Sequence, residues 1–321
     1  MALQGRGEEQ AREEGVYVEL DELVELRHAL RHTSLLPRQP VNSLLAGRRA
    51  SKLRGRGLDF DELRAYVAGD DVRRIDWRVT ARTGKPYVRS YKEERDRPVL
   101  LLVDQRRGMF FGSQLAFKSV VAARLAALVA WRVSAVGDRI GALVIGESER
   151  WSLEPARSQA NVFRLLERLV QAGRALPAPK AAEDDAFGAA IRELSRVAPH
   201  DALVVLISDL RGVSPDAAAT LANIRRHNDL LVAWVVDPLE CALPDVGLAA
   251  VTDGDVKLSL PTADRELRES FARAFAADRE RVAELCASAG APYFELRTDR
   301  PVIDQVQEVF GGQRLPMGRR A

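Results

Sequence analysis

Four runs, VLLLV (99–103), RIGALVIG (139–146), ALVVLIS (202–208) and LLVAWVV (230–236), are apolar at nearly every position rather than at alternate ones. A strand of that composition has both faces buried, so the sheet that holds it needs cover on both sides. A fifth run, PYFELR (292–297), closes the series. Between the runs lie segments with helical spacing, near 115–134, 158–171, 185–197, 215–227, 264–289 and 301–310. This alternation predicts an α/β fold, a mostly parallel sheet flanked by helices. LAAVTDGDVKLSL (248–260) reads as a two-strand piece, with its turn at Asp253-Gly254.

Three of these strands end in acid. VLLLV runs into Asp104, ALVVLIS into Ser208-Asp209, and LLVAWVV into Asp237. Ligands of open parallel sheets bind at the carboxyl ends of strands, so Asp104, Ser208 and Asp209 are expected to converge there. Oxygen ligands of this kind suit Mg²⁺ or Mn²⁺. Asp is also a good residue for leaving a strand and capping the next helix, and Asp237, followed by Pro238, fits that role better.

The chain of 321 residues is long enough for one large domain and a smaller one. No stretch nears the ~18 apolar residues of a membrane helix. The opening MALQGRGEEQAREEG lacks the apolar centre of a secretion signal, so a cytoplasmic location is expected, without membrane insertion. Cys241 and Cys286 are too few and too far apart for a disulfide framework. The net charge of +2 gives no general case for nucleic acid. The chain lacks a phosphate-binding loop with Gly-Lys-Ser/Thr, and it lacks a Gly-x-Ser-x-Gly elbow. His28, His32, His200 and His227 do not form a metal-spaced set. Residues 1–14 and 313–321 read as tails, 15–97 as a smaller N-terminal segment opening on a helix at 19–32, and 98–312 as the main domain. Within the former, RQPVNSLLAGRRASKLRGRG (38–57) carries Arg38, Arg48, Arg49, Lys52, Arg54 and Arg56 without an acid. Lacking interleaved aromatics, it reads as a solvated face or a dock for an acidic protein surface rather than for nucleic acid.

The segment 55–113 resembles the signature of the bacterial family called domain of unknown function 58. Gly55, Gly57, Phe60, Leu63, Arg64, Tyr66, Gly69-Asp70-Asp71, Arg73, Ile75-Asp76-Trp77, Ala81-Arg82 and Asp104 carry the match. The resemblance covers about residues 45 to 310. It implies a von Willebrand factor A-like domain and an adaptor role beside a MoxR-type AAA+ ATPase or that ATPase's client protein. It also implies an adhesion site, Asp-x-Ser-x-Ser after the first strand, with further ligands from a second and a third loop. Asp104 takes the first place, while Arg106 and Gly108 stand where the serines belong. The second loop falls near Asp184 or Asp185, and the third matches Ser208-Asp209. Losing two hydroxyls and gaining a guanidinium weakens an ion's place, so an arginine-plugged site without metal or other cofactor is expected, Arg106 lying between Asp104 and Asp209. The bland alternative turns Arg106 to solvent.

Around Trp77, the residues Arg64, Asp70, Asp71, Arg73, Asp76 and Arg82 allow two readings, a buried ion-pair network or a recognition surface rich in Arg and Trp. A third is a metal-dependent hydrolase or nuclease using Asp70, Asp71 and Asp76, for which the sequence offers no clear base. The expectation is a non-enzymatic interaction protein, its oligomeric state open. Metal-dependent hydrolysis and nucleic-acid binding through the basic loop are the alternatives.

Overall fold

A computed structural model describes residues 15–29, 58–67, 72–93, 98–146, 149–175, 185–252 and 257–310. The basic loop, the two tails and the Asp253-Gly254 turn lie outside the described residues. The chain divides into two compact units, one of residues 1–45 with 97–321 and one of residues 46–96.

The larger unit is built on a six-stranded sheet. Its strands are β3 (Val99–Asp104), β4 (Ile140–Ile145), β5 (Arg150–Ala156), β6 (Leu203–Ser208), β7 (Asp229–Val236) and β10 (Tyr293–Arg297), in the order β10-β7-β6-β3-β4-β5. All neighbours pair in parallel except β4 and β5. β3 is buried along its whole length. Its Val99, Leu101 and Val103 enter one core and its Leu100 and Leu102 the other, as the pleat requires. The first core is closed by α1 (Leu20–Ala29), α3 (Lys118–Ala135), α4 (Gln159–Ala175) and α9 (Val302–Phe310). The second is closed by α5 (Ala186–Val197), α6 (Pro215–His227) and the end of α8 (Arg265–Ser288). A four-residue helix, α7 (Pro238–Cys241), follows β7, and the hairpin β8 (Leu248–Thr252) with β9 (Lys257–Pro261) precedes α8. Among the described residues, no helix is long and apolar enough to cross a membrane.

Two points differ from the sequence reading. The helix α1, grouped by sequence with residues 15–97, packs into the first core of the larger unit. Leu23 is fully buried there, and the Trp131 indole N–H donates to the Leu23 carbonyl at 2.9 Å. The edge strand β5 was not expected, because RWSLEPA buries only Leu153 and carries a proline, as edge strands do. The β4–β5 register shifts at Gly141, where a Cβ would stand 2.7 Å from the Leu153 carbonyl oxygen.

The smaller unit holds β1 (Leu58–Ala65) and β2 (Tyr87–Glu93), an antiparallel pair, with a 3₁₀ turn (Val72–Arg74) and α2 (Trp77–Thr83) between them. This short helix buries none of its residues. Its caps hold it. The Asp76 carboxylate accepts the N–H groups of Arg78 and Val79, and Gly84 closes the far end at φ +72°.

Candidate functional site at the carboxyl ends of the central strands

β3 lies between β4 and β6. The chain leaves β3 toward β4 and β5 on one side and returns to β6 on the other. The loops after β3 and β6 therefore diverge, which opens the position where α/β sheets bind ligands. Asp104 ends β3, Ser208 ends β6, and Asp209 follows it. The expected convergence of these three residues is present in the structure.

Asp104 is fully buried. Arg106 grips it with a fork, Nε to Oδ1 at 3.0 Å and Nη2 to Oδ2 at 2.8 Å, and its backbone N–H donates to Oδ1 at 3.0 Å. The Ser208 hydroxyl donates to Oδ2 at 2.6 Å. Arg106 Nη2 also donates to the Arg211 carbonyl at 3.1 Å, joining the loops after β3 and β6. The guanidinium lies over the Phe187 ring, 4.7 Å from its centre. Arg106 is thus turned inward, not to solvent. A paired, stacked guanidinium of this kind is not interchangeable with lysine.

Arg106 does not reach across to Asp209 as its direct ion-pair partner. That place belongs to Lys118, the first residue of α3, which is fully buried. Its Nζ donates to Asp209 Oδ2 at 2.8 Å and to Glu240 Oε1 at 2.7 Å. Arg211 adds a looser contact to Glu240 at 3.2 Å. Burial would raise the Asp209 pKa. The charge and hydrogen bond of Lys118, the Arg211 N–H and the charge of Arg106 outweigh it, and the carboxyl titrates below its ordinary 3.8.

Asp237 caps α7, with its backbone N–H donating to Glu240 Oε2 at 3.1 Å. The other oxygen of Asp237 accepts the Ser113 N–H at 2.8 Å and the Thr298 hydroxyl at 2.5 Å. The capping role expected from Asp237-Pro238 is therefore met, and the same carboxylate ties three loops. Leu210, buried, sits at φ +56°, a left-handed conformation uncommon for leucine. The Ser208 hydroxyl oxygen accepts its N–H at 2.9 Å.

Of the second-loop candidates, Asp184 lies outside the described residues. Asp185 pairs with Arg192 at 2.8 Å and is not part of the cluster, so Phe187 is what this region contributes. Gly108, in the second serine position, lies beside Asp209, and a Cβ on it would stand 3.4 Å from Asp209 Oδ2. The sequence reading missed Lys118 and Glu240. The available signal was a lysine opening KSVVAARLAALVAW, a stretch that is apolar apart from Lys118, Ser119 and Arg124.

In the smaller unit, Trp77 is 68% exposed, and Arg73, Arg78 and Arg82 are exposed as well. Trp77 is thus not the centre of a buried ion-pair network. Asp76 is buried and committed to its cap, at 3.0 Å from Arg78 N–H and 3.2 Å from Val79 N–H. Asp70, Asp71 and the Arg64 side chain lie outside the described residues.

Among solved structures, the chain is similar to BatB from Bacteroides thetaiotaomicron, with 13% identity, 66% of this chain and 98% of that chain covered, and a TM-score of 0.39. It is similar also to a von Willebrand factor type A protein from Catenulispora acidiphila, with 11% identity, 69% and 42% covered, and a TM-score of 0.36. In sequence, it is 33% identical to an uncharacterized protein of Mycobacterium tuberculosis over 294 residues, 90% of each chain. A shorter uncharacterized protein of Mycobacterium avium is 34% identical over 126 residues, 39% of this chain and 74% of that one. The family model described as "Protein of unknown function DUF58" matches residues 62–281, and with most of the chain covered by that match, the protein belongs to this family.

Proposed function

We propose that this protein is a non-enzymatic, cytoplasmic interaction adaptor that works with a MoxR-type AAA+ ATPase, or its client, in assembling or maturing protein complexes. It presents the edge formed by Asp104, Arg106, Ser208 and Asp209. One observation carries this reading: the strand-end acids are already matched by cations of the chain itself. Arg106 and the Ser208 hydroxyl occupy Asp104, while Lys118 bridges Asp209 and Glu240. A divalent ion does not fit these residues, because hard cations need several oxygen ligands and the candidate oxygens hold side-chain donors. Among the described residues, no group of three or more His, Cys, Asp or Glu is arranged to hold a metal ion. The site is thus a degenerate adhesion site, its cation supplied by side chains. The same pairing leaves no acid at this edge poised as a general base. What remains is a buried polar cluster that reaches solvent through Arg106 and Arg211, and these two guanidinium groups are what the edge offers to another protein.

The test is co-purification from the native cells with nucleotide present. The wild-type chain recovers a MoxR-type ATPase, and Arg106→Glu and Arg211→Glu lose it while their thermal unfolding shows them folded. Absence of any ATPase overturns the adaptor reading. So does divalent-ion-dependent hydrolysis by the purified chain that Asp104→Asn abolishes.

A further inference from the structure

We infer that the exposed surface of α2, centred on Trp77 with Arg78 and Arg82, together with Lys85 just past its cap, docks an acidic protein surface. The inference goes beyond the strand-end edge but rests on the interaction reading of the chain.

The helix has seven residues, and none of them is buried. A helix this short is unstable alone and is normally kept by its packed face. Here the stabilising groups are at the ends and the flank. Asp76 caps one end and Gly84 the other, the Thr83 hydroxyl donates to the Val79 carbonyl at 2.8 Å, and the Tyr87 N–H donates to the Thr80 hydroxyl at 3.2 Å. The helix is therefore well anchored while its side chains contribute nothing to a core. Trp77 is 68% exposed, and Val72 and Val67 of the same unit are 57% and 61% exposed. An exposed tryptophan costs solubility, and no packing role offsets that cost.

Among the described residues, the exposed charges of α2 and of Lys85 have one sign. Arg78, Arg82 and Lys85 are exposed, and none forms an ion pair among the described residues. The acid of the helix, Asp76, is spent as the cap. Residues 46–96 carry fourteen Lys and Arg against nine Asp and Glu, a net of +5. The whole chain is +2, so the rest of it is −3. The electrostatic complement of this face is acidic. Its Trp and Arg content matches the centres of protein interfaces, where these residues dominate the binding energy. A long polyanion is a poorer match. Arg78, Arg82 and Lys85, the cations named here, flank an apolar anchor rather than form a track, and the remainder of the chain repels added negative charge.

The experiment uses the purified full chain and a labelled random copolymer of glutamate and tyrosine, followed by fluorescence anisotropy at low salt, with poly(dT) of equal charge alongside. The copolymer is expected to bind and to weaken steeply between about 0.05 and 0.5 M salt. Trp77→Ala is expected to weaken binding by about 30-fold. The pair Arg78→Glu with Arg82→Glu is expected to weaken it by about tenfold or more. All these side chains are exposed, so circular dichroism and melting temperature should stay at wild-type values. Failure of the copolymer to bind, or binding indifferent to these substitutions, overturns the inference. Tighter binding of poly(dT) than of the copolymer assigns the face to nucleic acid instead. A change in sedimentation of Trp77→Ala with no copolymer competition assigns it to a second copy of the chain. No ATPase takes part in this measurement, so its failure and that of the adaptor reading are separable. Loss of ATPase recovery with copolymer binding intact removes only the latter.

Discussion

Replacing Lys118 by methionine keeps the length of the side chain and deletes one charge from a fully buried position. Two carboxylates lose a partner in that step, Asp209 at 2.8 Å and Glu240 at 2.7 Å, with side chains only 4% and 9% exposed. Removing one member of a buried ion pair costs about 3–5 kcal/mol, because the remaining charge stays buried without its counter-ion. Neither acid is left bare. Asp209 keeps the Arg211 N–H at 3.0 Å, and Glu240 keeps Arg211 at 3.2 Å and the Asp237 N–H at 3.1 Å. The low end of the range, about 3 kcal/mol, is therefore expected. That is a large fraction of the ~5–15 kcal/mol that holds a domain folded. The measurement is urea unfolding followed by tryptophan fluorescence, to which Trp234 contributes, its indole N–H bonded to the Asp209 carbonyl at 3.1 Å. The midpoint should fall at unchanged slope. The triple variant Lys118→Met, Asp209→Asn, Glu240→Gln keeps the shapes and the carbonyl acceptors while removing all three charges, and it should regain at least about half of the loss. Because the cluster is buried, added salt should leave the differences nearly unchanged. A loss below about 1 kcal/mol, or a triple variant no more stable than the single one, would refute the view that Lys118 neutralises this site.

The acid limb of stability should carry the signature of Asp209. Its folded pKa is depressed, so its contribution is fully present above 3.8 and is lost as pH falls through the lower folded value. Asp209→Asn should be less stable than wild type at neutral pH, with the gap narrowing below 3.8, as read from melting temperatures across pH. Gly141→Ala places a methyl group 2.7 Å from the Leu153 carbonyl oxygen and 2.8 Å from Pro155, and should cost about 1–3 kcal/mol with hydrogen-exchange protection lost first in β5. Cys286 has its thiol pushed up to about 12 by burial, so iodoacetamide at pH 8 should leave it unmodified in the native chain and label it promptly in urea.

The fold was legible because burial on both faces forces an apolar residue at every position of a central strand. β3, β6 and β7 therefore announced themselves, and with them the acids at their ends. Arg106 was legible for a local reason: two residues after Asp104, its fork reaches the carboxylate without help from distant chain. Lys118 was not. It stands 91 residues from Asp209 and 122 from Glu240, and a lysine opening a helix ordinarily points to water. Which acid it meets depends on how α3 crosses the sheet, and no local pattern records that. β5 escaped for the opposite reason, since an edge strand buries too little to impose a pattern. Trp77 could be read as a buried pivot or a surface anchor from its charged neighbours alone. The structure shows it 68% exposed, on a helix that is held by its caps and buries none of its residues.

The positive charge that Lys118 brings to the crevice is tethered to the chain. A dissolved ion occupies its site according to its concentration and leaves when a chelator competes for it. An ammonium at the end of a helix has no such freedom. Its place beside Asp209 and Glu240 does not depend on the concentration of any dissolved ion. Displacing this charge from the two acids therefore requires a movement of α3 or of the loops it grips. The helix carries its own handle for that motion: the N–H of Phe117, directly before Lys118, donates to the carbonyl of Gly15 at 2.7 Å. A pull on the segment leading into α1 is thus mechanically connected to the counter-ion at the carboxyl ends of the central strands.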